Sequence, residues 1–119
     1  MTDYLLLIPA HEAVWDAASA EERDAVYARH VEFAKALASR GHTLTVGAEL
    51  APSAQAVVVR RGPAGITVTD GPYAEGTEQL SGFYLVSTED LDDLVDCVGL
   101  LVDDRSGVEL RATTMGGMS

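Results

Sequence analysis

An α+β domain is the fold this chain predicts: a split βαβ sheet with a β-hairpin inserted between its halves. Three observations predict it. Short β-type runs recur at 4–8, 44–47, 56–59, 66–69, 82–86 and 108–112. Two amphipathic helical patterns, near 20–40 and 88–101, interrupt them. The order is therefore β-α-β-(ββ)-β-α-β, which without the central pair is the ferredoxin-like pattern.

Each element has a local reason. YLLLI at 4–8 is a fully buried strand that Pro9 is expected to stop, with a loop following through Trp15. Ser19-Ala20-Glu21-Glu22 has the spacing of a capping box. The helix it opens runs to about Arg40, with Gly41 placed to end it. Its apolar stripe is Val26, His30, Phe33 and Leu37, so His30 faces the buried side. Leu44 and Val46 alternate with threonines in a half-buried strand ending near Gly47. AVVV at 56–59 and ITVT at 66–69 flank RRGPAG, a hairpin turn. Asp70-Gly71-Pro72 then opens a loop of about ten residues, longer than most connections, before GFYLV at 82–86. Ser87 or Thr88 is expected to cap the second helix, whose stripe is Leu91, Leu94, Val95, Val98 and Leu101. Val108, Leu110 and Ala112 form a last strand.

The length, 119 residues, fits one domain over 1–119. At 47% hydrophobic residues the chain has enough material for a packed core. Nineteen acids against eight Lys and Arg give a net charge of −11. That excludes a bare phosphate backbone as ligand and disfavours anionic membrane surfaces. A small neutral or cationic ligand, or a basic protein, stays open. Cys97 is the single cysteine, so no internal disulfide forms, and it reads as a small buried hydrophobe. No run spans a bilayer and no signal peptide precedes the first strand, so a cytoplasmic location is expected. The tail Met115–Ser119 is expected to fray. Two helices cover one face of the sheet only. The other face needs a partner, and a second copy is the simplest, giving a homodimer with sheets face to face or closed into a barrel.

The stretch DGPYAEGTEQLSGFYLV resembles the signature of the DGPF-motif group of the YCII-related family. Its matching residues are Asp70, Gly71, Pro72, Tyr73, Glu75, Glu78, Gln79, Gly82, Phe83 and Tyr84. YLLLI, EAVW, SAEER, the helix around His30 and DLDDLVD extend the resemblance over nearly the whole chain. It implies a dimeric α/β-barrel of ferredoxin-like subunits and a His–Asp pair proposed as acid/base machinery. It also implies a few relatives acting on chlorinated aromatics, and a frequent genetic link to alternative sigma factors. Three positions depart from the pattern. Tyr73 replaces Phe, Thr77 replaces a common Lys, and His11 stands where an acid often follows the first strand.

The candidate site has His30, Asp70 and Tyr73 as reacting groups, with His11, Trp15, Tyr84 and Glu75 as ligand contacts. His30 reads either as a helix histidine satisfied by a carbonyl or as a general acid/base; the resemblance tips it to the second. Asp70 reads as a turn former or as a carboxylate orienting the imidazole. Tyr73 and Tyr84 read as packing aromatics or as donors to a developing oxyanion. Glu75 and Glu78 read first as solvated loop acids. His42 reads as a helix-end residue. No metal is expected, because His11, His30 and His42 lack ligand spacing, and no phosphate- or dinucleotide-binding motif occurs. These residues suit a cofactor-independent enzyme moving protons on a small organic molecule by elimination, isomerisation or cyclisation. The alternatives are a non-catalytic ligand-binding or regulatory module, and a plain dimerisation module.

Overall fold

The computed structural model describes residues 1–114, so the expectation for Met115–Ser119 lies outside the described residues. Six strands and three helices follow in order. They are β1 (Thr2–His11), α1 (Glu12–Ala17), α2 (Ala20–Ser39), β2 (Thr43–Glu49), β3 (Val57–Gly62), β4 (Gly65–Asp70), β5 (Glu78–Thr88), α3 (Leu91–Val98) and β6 (Glu109–Ala112). A single 3-10 turn at Ser53–Gln55 joins β2 to β3. The main sheet has the order β2-β5-β1-β6, and each neighbouring pair is antiparallel. This is the ferredoxin-like arrangement, and β3 and β4 form a separate two-stranded sheet.

The long helix follows its sequence signals. Ser19 Oγ accepts from the Glu22 N–H at 3.1 Å, and Glu22 reaches back to the Ser19 N–H at 3.2 Å. At the other end Gly41 takes φ +83°, and the His42 N–H donates to the Leu37 carbonyl at 2.9 Å. That is a Schellman closure, and only glycine adopts its turn without strain. Phe33 and Leu37 from α2 and Leu94, Cys97 and Val98 from α3 pack on Leu6 and Val86 of the sheet.

Several expectations are corrected. Pro9 does not stop β1. It sits where the register slips between Ile8 and Pro9, and a bulge tolerates a residue without an N–H. The expected loop to Trp15 is helix α1 from Glu12. Strand β5 starts at Glu78, four residues early, because Gln79 and Leu80 pair with Ala10 and Pro9. The Asp70 loop is correspondingly shorter. β2 is exposed along its length, not half-buried, because it is a sheet edge. Asp90 caps α3, accepting from the Asp93 N–H at 3.1 Å, while Thr88 bonds the Asp90 backbone. In α3 it is Cys97 that is buried, and Val95 is exposed.

The sheet's two faces differ. Leu6, Tyr84, Val86 and Leu110 meet the helices. By strand alternation Leu5, Leu7, Phe83, Leu85, Val46 and Ala48 lie on the opposite face, away from α2 and α3. No helix is long and apolar enough to cross a membrane among the described residues.

Candidate functional site

His30 projects from the middle of α2 toward β5. Its Nδ1 lies 2.7 Å from the Tyr84 hydroxyl, and the two rings are tilted at 5.8 Å between centroids. Phe33, one turn on, supports the Tyr84 ring at 5.3 Å. The ring also needs Gly47, its partner across β2–β5. A Cβ on Gly47 would stand 2.7 Å from Tyr84 Cε1 and closer still to Cδ1. The tyrosine therefore lies flat over a backbone with no side chain.

The electrostatics keep this pair neutral. Burial holds the His30 imidazole below its ordinary value, the Arg29 charge adds to this, and Glu49 opposes it. Burial pushes the Tyr84 phenol up. A histidine with a depressed pKa stabilises the fold when neutral. Its contribution is full above the unfolded value of 6.5 and is lost as pH falls from there toward the folded value. The margin by which His30→Leu exceeds wild type in unfolding free energy is therefore expected to widen as pH falls below about 6.5 and then level off. Denaturant titrations at stepped pH measure it, and a difference that is flat between pH 7.5 and 5 refutes the assignment.

A second polar pair extends the seam. The Tyr27 hydroxyl donates to the Glu49 carboxylate at 3.0 and 3.2 Å, a bond that raises the tyrosine's pKa. Tyr27 is one turn before His30, and Trp15 meets it edge-on at 5.6 Å. Arg23 stacks over Trp15 at 5.1 Å and donates to its carbonyl.

The remaining candidates lie elsewhere. Asp70 ends β4 opposite Val57, and no hydrogen bond joins it to His30 among the described residues. With Gly71 (φ +105°), Pro72, Glu75 and Ser53 it lines a shallow depression of which His30 is no part. The loop rims this hollow. Tyr73 is 82% exposed, and the Arg60 guanidinium stands 5.4 Å from its ring. His11 ends β1 opposite Glu78, and its buried Nδ1 has no hydrogen-bond partner among the described residues.

Tyr27, Gly47 and Glu49 carry no motif in the sequence, although Tyr27 shares the helix face of His30 by its spacing. Glu12 carries no motif either. Its carboxylate accepts from the Ser53 N–H at 2.8 Å and from the Ser53 hydroxyl, which lowers its pKa. It ties α1 to the turn beside the Asp70 loop.

His42 is more than a helix-end residue. Buried between α2 and α3, it has Nδ1 2.7 Å from Thr88 Oγ1 and Nε2 2.6 Å from Asp93. Arg40 bonds the same carboxylate and Asp96, and with His42 it holds Asp93 below its ordinary value. Cys97 is close enough to complete a three-ligand set. A cation there would have to break the His42–Asp93 bond beside a guanidinium and ionise a thiol that burial keeps protonated. The cluster reads as a clamp between helices.

The YCII-related domain profile matches residues 2–99. The chain belongs to the YCII-related family. A relative in Rhizobium meliloti (strain 1021), described as an uncharacterised protein, is 37% identical over 100 residues. That match covers 78% of this chain and 74% of the relative. In this YCII-related protein the α+β fold is thus accompanied by a His30–Tyr84 pair at the α2–β5 seam.

Proposed function

We propose that this YCII-related protein, as a member of the DGPF-motif group, is a cofactor-independent catalyst of proton transfer on a small organic molecule in the cytoplasm. The observation that carries the reading is the 2.7 Å contact between His30 Nδ1 and the Tyr84 hydroxyl. One tautomer gives both groups a task. With the proton on Nδ1, the imidazole donates to Tyr84 Oη. The Nε2 lone pair is then free as a base, and the Tyr84 O–H is free to donate to a developing oxyanion. The depressed His30 pKa supplies the unprotonated form at neutral pH, and the Glu49 charge favours the imidazolium once it has formed. Asp70 and Glu75 serve as the polar lining of a separate hollow, and Tyr73 stands exposed beside Arg60.

Isotope exchange tests this reading. A panel of small ketones, lactones and aromatic acids is incubated with the protein in D2O, and carbon-bound deuterium is read by mass. Incorporation by wild type that His30→Leu loses is the expected result. Equal incorporation by both proteins overturns it. The second reading, a non-catalytic binding or regulatory module, draws on one observation. Two surface depressions, one beside Leu7 and Val108 and one beside Asp70, are lined by neither His30 nor Tyr84.

The protein is also proposed to work as a homodimer. Its open sheet face is apolar along Leu5, Leu7, Phe83 and Leu85, and exposing such area costs about 25 cal/mol per Å². Sedimentation at low micromolar concentration is expected to show a dimer, and a stable monomer there sinks the proposal.

A further inference from the structure

The β3–β4 hairpin is built as an arm. By alternation Val57, Val59, Ile66 and Val68 share one of its faces, with Arg61 toward the tip and Asp70 at the base. All four apolar residues are 55–63% exposed. The molecule measures 52 × 40 × 20 Å with a radius of gyration of 16.4 Å, against about 13–14 Å for a compact chain of this length. An isolated two-stranded hairpin is marginally stable in water, and four aligned β-branched side chains left wet have no use in it.

Charge says what covers them. The arm carries Arg60 and Arg61 and a single acid, Asp70, which lies at its base opposite Val57. The rest of the chain is strongly acidic. A shallow groove of about 460 Å³ on the main sheet has Leu7, Pro9, Leu80 and Val108 as its apolar lining and Glu78 and Glu109 at its rim. It continues the open sheet face, because Leu7 belongs to both.

We propose that the arm of one copy docks in this groove of a second copy, apolar face down, with Arg61 meeting the rim acids. The inference rests on the homodimer reading and adds to it a defined exchange of arms.

The test combines sedimentation with cross-linking. Val59→Cys and Leu80→Cys proteins are prepared separately, mixed and oxidised. The expected result is a two-chain disulfide that forms only in the mixture. Val59→Asp/Val68→Asp is expected to weaken the dimer at least tenfold. Arg61→Glu is expected to weaken it less and to be partly rescued by Glu109→Arg. Circular dichroism checks that each variant is folded. A wild-type monomer removes both readings. A wild-type dimer whose dissociation is unchanged in Val59→Asp/Val68→Asp, with no mixed disulfide, overturns the arm alone.

Discussion

His30→Leu is expected to fold with an equal or higher melting temperature and to lose turnover or ligand binding by roughly a hundredfold or more, the share of a general acid/base. The imidazole lies on the stripe that also carries Phe33 and Leu37, where an apolar side chain fits the surroundings better. What the substitution removes is one hydrogen bond, to a Tyr84 hydroxyl that is only part-buried and can turn to water. Nothing fully buried is left unsatisfied, so the large penalty for an orphaned polar group does not arise. Function has no such substitute, since no other imidazole bonds Tyr84 among the described residues. Asp70→Asn is expected to change activity far less and to leave the His30 titration in place, because no hydrogen bond links the two among the described residues. Thermal melts, NMR titration of the imidazole and the exchange assay separate these outcomes. An unfolded His30→Leu, or one with full activity, moves the non-catalytic reading ahead.

The parts legible in the sequence were those set by neighbours along the chain. Ser19 and Glu22 meet within one turn, and Gly41 closes the same helix, so α2 was readable to within a residue. The hairpin was readable from its turn chemistry between two β-branched runs. The parts set by distant neighbours were not. Glu78–Ser81 looks like loop, and it becomes strand because the end of β1 pairs with it across the Pro9 bulge. Thr88 looks like a helix cap, yet it faces His42, forty-six residues away. The site divides in the same way. His30 is legible from helical spacing and from the family resemblance. Its partner is fifty-four residues on, and no pattern in either segment announces the pairing. Tyr84 was a candidate only as a ligand contact, because its reach to His30 depends on the β2–β5 register and on a bare backbone at Gly47.

Gly47→Ala is therefore expected to have an effect out of proportion to one methyl group. The backbone there requires no positive φ, so a side chain is conformationally allowed. The obstacle is purely the Tyr84 ring, which the new Cβ would overlap at Cδ1 and Cε1, with the Phe83 carbonyl at 3.1 Å on another side. The ring cannot simply sink inward, because the fully buried Phe33 already packs against it. It has to swing or the strand has to shift, and overpacking of this kind costs about 1–3 kcal/mol. A hydrogen bond of 2.7 Å does not survive a displacement of an ångström or more, so the His30–Tyr84 pair parts. Activity is then expected to fall toward that of His30→Leu although both reacting residues are present. Tyr84→Phe should not rescue it, since the methyl group meets ring carbons and not the hydroxyl. Gly47→Ala/Tyr84→Ala should recover much of the stability lost to overpacking and none of the activity. A double-mutant cycle in denaturant gives the coupling directly, and additive effects at positions 47 and 84 would show that the glycine does not seat the ring.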